Sequence, residues 1–193
     1  MFKSDNTIKQ FSSGIIEDIC QDIIQPIDLF ISSGRILSQQ CQPYNLIVDE
    51  LNLYDNLLPV INSYYSQLKN QGILIMNVLG GKSLYELADA MLRSDLIENR
   101  FVARMLPKIS AEGLLSLANQ SQFRYKSVMS NSTAVNCGSV SAVIQCLREV
   151  KLTRNLSCNQ PTSRSYWQSV QEIFSSLYNS SVTIEIITLL ASK

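Results

Sequence analysis

The sequence contains no histidine. This absence excludes Ser-His-Asp and Cys-His nucleophile pairs, HExxH zinc sites and histidine general bases together. Any chemistry must therefore run on carboxylates, tyrosine, lysine or a bound cofactor.

Cysteine is scarce and does not occur in paired motifs. The five cysteines are an odd number without a CxxC pair: Cys20, Cys41, Cys137, Cys146 and Cys158. Neither a disulfide framework nor a metal site is predicted. The first residues, MFKSDNTIKQF, include an acid and lack an apolar core, so no export or import signal is expected. Reduced thiols and the lack of a signal predict a cytoplasmic protein.

Excess charge and long apolar runs are missing as well. The 16 basic and 16 acidic residues cancel, which predicts no nucleic-acid partner and no anionic membrane surface. Apolar stretches such as residues 73–76 and 184–190 are far shorter than the roughly 20 residues that span a bilayer. A chain of 193 residues, 46% hydrophobic, is long enough for one well-buried core, so a single domain over 1–193 is expected.

Short apolar runs and helical patterns alternate along the chain. Buried strands are predicted at residues 28–31, 44–48 and 73–78, and a further strand at 124–130. Helices are predicted at 8–24, 57–69, 83–93, 110–119, 139–149 and 165–178, before a long strand at 182–190. Strands without polar alternation indicate a parallel sheet covered on both faces. The predicted architecture is α/β.

Three local signals refine these elements. Gly72 is available for a left-handed conformation at the end of a helix. Ser83 with Glu86 forms the pattern of a capping box, and Ser110 is a second predicted helix cap. Three aromatic residues, Tyr166, Trp167 and Tyr178, follow an amphipathic helical pattern and are predicted to pack rather than to bind a ligand.

Candidate site residues lie where two predicted parallel strands end. Asp49 and Glu50 follow the strand at 44–48, at the edge where open α/β sheets place ligand contacts. A solvated strand end is the alternative. Gly80 and Gly81 follow the next strand, and Tyr85 comes after them on a helix, where a simple capped helix start is the alternative.

From residue 44 onward the sequence resembles one branch of the class I methyltransferases, the group with the mitochondrial complex I assembly factor and its alphaproteobacterial relatives. The similar words are YNLIVDELNLY (44–54) and LKNQGILIMNVLGGKSLYEL (68–87), with weaker matches to residue 193. The biotin-pathway malonyl-carrier-protein methyltransferase is a more distant neighbour. The resemblance implies S-adenosylmethionine as cofactor. It also implies a reduced Rossmann-like, three-layer α/β/α fold of about five mainly parallel strands, with the last strand antiparallel.

Residues 17–37 are similar to the family segment that leads into an Asp-x-Gly-x-Gly-x-Gly cofactor loop. Phe30 occupies the position of the motif's acidic residue. The positions of its three glycines are occupied by Ser32, Gly34 and Ile36, so only Gly34 matches the motif. Each Cβ at such a tight turn costs on the order of 1 kcal/mol or more. The resemblance makes Ser32, Ser33 and Gly34 the remnant of a cofactor loop, with Asp49 and Glu50 as further contacts. An ordinary strand-to-helix turn is the favoured interpretation of residues 32–34.

Two further site assignments come from the resemblance. Tyr54 stands near a family position for a substrate contact and is the candidate catalytic residue. Gly80, Gly81, Tyr85 and Arg104 stand on the implied substrate side. Arg100, Arg104 and Lys108 bracket a loop that covers the family's active site, although their spacing also suits a solvated helical face, which we favour.

The family places two additional strands between its first strand and the one matching residues 44–48, whereas this chain has only residues 33–43 there. The expected domain therefore consists of an N-terminal helix (1–27), a remnant of the cofactor half (28–79) and a substrate half (80–193). Its first strand should be a sheet edge, covered by the N-terminal helix, a protein partner or a second copy.

Three functional hypotheses follow. The favoured one is a degenerate methyltransferase-like protein, with no cofactor, that acts in binding or assembly. The alternative is an active S-adenosylmethionine-dependent methyltransferase, or a related hydroxylase, acting on a protein or carrier-bound substrate. A decayed gene product is the third.

Overall fold

The computed structural model describes residues 7–21, 29–32, 43–51, 56–100, 102, 104–105, 108–149 and 162–193. The helices are α1 Thr7–Gln21, α2 Leu57–Gln67, α3 Tyr85–Ile97, α4 Ala111–Asn119, α5 Val140–Glu149 and α6 Arg164–Tyr178. The strands are β1 Leu29–Ser32, β2 Tyr44–Asp49, β3 Leu68–Leu79, β4 Tyr125–Asn136 and β5 Ser181–Ser192. Each helix and strand predicted within these ranges is present, with shifted ends.

The strands form one five-stranded sheet in the order β1-β2-β3-β5-β4. β1 pairs parallel with β2, and β2 pairs parallel with β3. β5 pairs antiparallel with β3, which confirms the predicted direction of the last strand. The Arg124 amide, just before β4, donates to the Ser192 carbonyl at the end of β5. The sheet is therefore mainly but not wholly parallel.

The chain divides into two compact units. Unit 1 comprises Met1–Ile8, Gly81–Lys108 and Ser132–Glu185. Unit 2 comprises Lys9–Gly80, Ile109–Asn131 and Ile186–Lys193. The division of the chain into one domain with two functional halves stays a prediction.

Unit 2 is a three-layer α/β/α arrangement, as predicted. On one face of its sheet, Ile16 of α1 packs against Leu46, Val48 and Ile75. On the other face, the helices α2 and α4 pack over residues of opposite parity: Ile47, Leu74, Met76, Ile187 and Leu189. Because successive side chains of a strand point to opposite faces, two helical layers explain why these strands contain apolar residues at nearly every position.

A buried polar network fixes α1 to the sheet. The Asn77 side-chain amide on β3 donates to the Ser12 hydroxyl (2.8 Å) and the Ser12 carbonyl (3.2 Å) on α1. The Asn77 carbonyl oxygen accepts from the Thr188 hydroxyl (2.7 Å) on β5. All three residues are at most 2% exposed, so these bonds replace the water that the polar groups lose on burial.

The prediction for Gly72 is wrong. The positive φ falls on Gln71 (66°), and Gly72 is a residue of β3, which begins at Leu68. A Cβ at Gly72 would lie 2.9 Å from both the Leu68 side chain and the Lys69 carbonyl, and 3.1 Å from the Tyr44 carbonyl. Glycine is required here for the close approach of the chain to β2, and not for a left-handed turn.

Unit 1 is built on the pair α3 and α6. The Tyr166 hydroxyl on α6 donates to the Met91 carbonyl on α3 (3.3 Å), and the Ser94 hydroxyl donates to Ser169 (3.2 Å). Apolar side chains between these helices, such as Leu87 and Phe174, are fully buried. Tyr166 is fully buried too, so its predicted packing role is confirmed.

The capping box at Ser83 is also wrong, whereas the cap at Ser110 is confirmed. α3 begins after Leu84, which has a left-handed conformation (φ 60°) and no side-chain cap. The Ser83 hydroxyl instead exchanges two hydrogen bonds with the backbone of Glu185, and the Glu86 carboxylate accepts from the amide and hydroxyl of Thr183. The Ser110 hydroxyl accepts from the Gly113 amide (3.1 Å) and starts α4.

None of the helices in the described ranges is both long and apolar enough to span a membrane.

Candidate functional site

The predicted cofactor residues lie at the carboxyl ends of the parallel strands of unit 2. Ser32 closes β1 and is in register with Asp49, the last residue of β2, which is in turn in register with Met76 of β3. Carboxyl ends of parallel strands are where open α/β sheets bind ligands. Three further candidates, Ser33, Gly34 and Tyr54, lie outside the described residues.

The carboxylate of Asp49 is closed off from solvent. Asp49 is 0% exposed and takes part in an interaction inside the protein. Glu50 follows it and is half-buried. The side chain of Leu51, the next residue, is buried at 8% exposure. In this conformation Asp49 does not present its oxygens to a ligand, and Glu50 is the more accessible acid.

Gly80 lies directly after β3 and is buried. It forms a parallel bridge with Ile109, the residue before the Ser110 cap of α4. Its backbone is therefore part of the hydrogen-bonded framework of unit 2. The assignment of Gly80 to a substrate side stays a prediction.

Gly81 and Tyr85 are accessible residues of unit 1. Gly81 is exposed, and the next amide, of Lys82, donates to the Glu185 carboxylate (2.8 Å). Tyr85 is 53% exposed and stacks edge-on against Tyr178, with ring centroids 6.1 Å apart. Both are placed where a binding partner of unit 1 can reach them.

Arg104 is a buried ion-pair residue. Its guanidinium binds both carboxylate oxygens of Asp95, and its Cζ lies 4.4 Å from the ring centre of Tyr166. The favoured interpretation of a solvated helical face is wrong, because Arg104 is 5% exposed and none of Arg100, Arg104 and Lys108 is helical. Arg100 instead forms an ion pair with Glu98 (3.2 Å). Breaking a buried pair by removing one partner generally costs about 3–5 kcal/mol, so removal of the Arg104 side chain alone should strongly destabilise unit 1.

A second charged cluster lies at the surface of unit 1. Asp89 accepts from the Tyr178 hydroxyl and from Arg93 Nε through the same oxygen, Oδ2. Burial alone would raise the pKa of Asp89, but the bonds from Tyr178 and Arg93 outweigh it and lower the pKa. The same bonds raise the pKa of Tyr178 and of Arg93.

The two described cysteines are protonated thiols. Burial, with a smaller contribution from the nearby Cys146, raises the pKa of Cys137 to about 11. Burial also raises the pKa of Cys146. The thiolate is the reactive form, so neither residue has the character of a nucleophile. Within the described ranges there is no group of three or more potential metal-binding side chains.

The sequence analysis missed the buried polar residues of the strands. Asn77 and Thr188 are directly paired across β3 and β5, and Glu185 binds the loop that precedes α3. Asn77 is the one polar residue of the apolar run ILIMNVL, and Glu185 and Thr188 are the two polar residues of the run IEIITLL. A polar group in such a run requires a buried partner, and that signal was available.

No protein-family model and no curated protein matches this sequence. Similar solved structures include a protein from Bacillus halodurans assigned as a methyltransferase, with 10% identity, 83% of this chain and 75% of that chain covered, and a TM-score of 0.48. An S-adenosylmethionine-dependent methyltransferase from Archaeoglobus fulgidus has 12% identity, coverage of 94% and 82%, and a TM-score of 0.38. Phosphoethanolamine N-methyltransferase 1 from Haemonchus contortus, solved with phosphoethanolamine and S-adenosylhomocysteine, has 11% identity and a TM-score of 0.33. The similarity spans 80% of this chain and 22% of that enzyme.

The strand order, the antiparallel β5 and the two helical layers define the fold by themselves. It is a Rossmann-like mixed α/β fold.

Proposed function

We propose that this chain is a methyltransferase-like protein that does not bind S-adenosylmethionine and acts in protein binding or assembly. The observation that carries the proposal is the position of β1 at the end of the sheet. Doubly wound sheets bind nucleotides in the crevice where the strand order reverses beside the first strand. All the other described strands lie on the same side of β1. A crevice beside β1 would therefore have a strand on only one of its two sides.

The connection between β1 and β2 supports this step. A crossover between neighbouring parallel strands needs a dozen or so residues, and one complete strand-helix-strand unit takes roughly 30. Residues 33–43 therefore suffice for the crossover to β2 and for no additional strand. An acidic residue on a following strand, which binds the ribose hydroxyls in such sites, has no place in this segment.

The remaining cofactor candidates give further support. Ser32 stands where the resemblance implies a glycine, and its neighbour in register, Asp49, is closed off from solvent. Only Glu50 is left as a partly accessible acid at this edge of unit 2 among the described candidates. One half-buried carboxylate is a poor replacement for a glycine loop and a ribose-binding acid.

The partner in this proposal is another protein or a second copy, bound along the outer edge of β1. An unpaired edge presents a row of backbone donors and acceptors to any added strand. Helix α1 packs on the face of β2 and β3 through Ile16 and Ser12. The resemblance to the complex I assembly branch favours an assembly role over catalysis.

The test is isothermal titration of the purified chain with S-adenosylmethionine and S-adenosylhomocysteine, with thermal-shift scans over the same ligands up to millimolar concentration. We expect neither heat of binding nor a shift in melting temperature. Micromolar binding, roughly 8 kcal/mol of affinity, would overturn the proposal and favour an active methyltransferase.

A matched pair of variants would locate any binding that is found. Glu50→Gln removes the accessible charge at the carboxyl edge, whereas Glu17→Gln removes an exposed charge on α1. Loss of affinity in Glu50→Gln alone would assign the ligand to this edge of unit 2. Equal behaviour of both variants would place it elsewhere.

A further inference from the structure

Helix α3 carries a narrow apolar stripe on its exposed side. Tyr85, Leu92 and Leu96 are 53%, 45% and 45% exposed. At about 100° per residue, the three side chains project from the helix within a sector of about 40° around its axis. Leu87 and Met91 lie on the opposite, buried side that faces the core of unit 1. The stripe is therefore a second apolar face of a helix that already has its core contacts.

The stripe concentrates much of the exposed apolar surface of the described residues. Their large exposed hydrophobic side chains are Tyr85, Leu92, Leu96, Ile97, Leu115, Tyr125, Met129 and Leu177, and half of these belong to α3. Single exposed apolar residues need no explanation, but contiguous ones mark interaction surfaces. Ile97, at 68% exposure, lies about 120° away from the stripe around the helix axis and is not part of it.

One acid and one base flank the stripe on the same side. Asp89 uses only Oδ2, for Arg93 Nε and for the Tyr178 hydroxyl. The Asp89 side chain is 29% exposed, and neither of these two bonds involves its Oδ1. The Arg93 side chain is 54% exposed. Each residue can therefore make a further charged hydrogen bond to an incoming molecule.

We propose that a second copy of this chain docks on this stripe, with the two α3 helices antiparallel about a two-fold axis near Met91. Antiparallel helices related in this way bring residues of the same flank together in reversed order. Asp89 then meets Arg93 of the partner subunit, and Arg93 meets the partner's Asp89. Along the stripe, Tyr85 packs on the partner's Leu96, and Leu92 lies next to the axis.

The symmetry of the surface selects a copy of the same chain over another protein. The acid and base lie at equal distances on either side of Met91, and an aromatic residue at one end faces a leucine at the other. Isologous pairing therefore satisfies both charges and places no like charges opposite each other. A formal net charge of zero adds no long-range repulsion between copies.

The test is sedimentation velocity of the full chain over a range of concentrations. The wild type is expected to shift from 21.7 kDa toward twice that mass as concentration rises. Leu92→Glu should weaken dimerisation by about tenfold or more, because it buries a charge at the axis in both copies. The control, Leu115→Glu, changes a leucine of similar exposure on α4 and should dimerise as the wild type does.

Charge reversal tests the pairing itself. Asp89→Arg and Arg93→Asp should each weaken the dimer, since each places like charges opposite one another. The double variant Asp89→Arg/Arg93→Asp restores opposite charges and should recover dimerisation. Circular dichroism and melting curves establish that every variant is folded. A monomeric wild type at all concentrations, or unchanged dimerisation in Leu92→Glu, would overturn the proposal, and neither result depends on cofactor binding.

Discussion

At the scale of single residues, the strands of unit 2 leave very little room between neighbours. Gly72 shows this most directly, since the Leu68 side chain and the Lys69 carbonyl lie 2.9 Å from the place where its Cβ would stand. The Tyr44 carbonyl of the neighbouring strand, at 3.1 Å, closes the third side. Backbone atoms cannot rotate away as a flexible side chain can, so relief requires movement of the strand.

We therefore expect Gly72→Ala to destabilise the protein by about 1–3 kcal/mol, the usual cost of overpacking. Gly14→Ala is the matched control, because Gly14 lies within α1 and a Cβ there would have no neighbouring atom within 4 Å. Alanine is favoured over glycine in a helix by about 0.5–1 kcal/mol, so this control should stabilise the protein. Urea unfolding measures both changes, and equal stability of Gly72→Ala and the wild type would contradict the expectation.

At the scale of elements, helices α3 and α4 begin in different ways. α4 has an exposed serine cap, with Ser110 accepting from Gly113. α3 has no side-chain cap, and the residues around its start, Ser83 and Glu86, bind strand β5 instead. The start of α3 thus depends on tertiary contacts, whereas that of α4 depends on a local hydrogen bond.

We expect Ser110→Ala to lower the free energy of unfolding by about 1 kcal/mol, because the amide at the helix start loses its acceptor. Ser116→Ala, an exposed change within the same helix, should alter stability by less than about 0.5 kcal/mol. Thermal or urea unfolding of the two variants distinguishes these outcomes. Equal effects would mean that the cap adds nothing to α4.

At the scale of the whole molecule, the lack of histidine shapes the response to pH. Acidic and basic residues balance, and the sequence pI is about 6.3. Histidine is the side chain whose ordinary pKa lies between the carboxylates and the more basic groups. Without it, the net charge should stay near zero over a broad range of pH.

Solubility is therefore expected to show a wide minimum between about pH 5.5 and 7.5, since proteins near zero net charge associate most readily. Solubility measured from about pH 4 to about pH 10 in one salt concentration checks this. A narrow minimum with a steep rise on both sides would contradict it.

The sequence by itself determined the elements and their class. Strand segments that are apolar at nearly every position, and not only at every second one, indicated strands buried on both faces. The three-layer arrangement of unit 2 confirms this. The Ser110 cap was equally predictable, because its partner lies three residues away. The candidate acids Asp49 and Glu50 were placed correctly at a strand end, since the end of an apolar run is a local property.

Only the tertiary structure decided how the polar residues are used. The burial of Asp49 and the binding of Ser83 to Glu185 depend on elements distant in the chain. The pairing of Arg104 with Asp95 joins α3 to a residue nine positions further along the chain. Spacing along one segment says nothing about such partners, and it suggested a capping box and a solvated face instead. The same holds for the exposed stripe of α3, because helical periodicity identifies two apolar faces but not which of them the core covers.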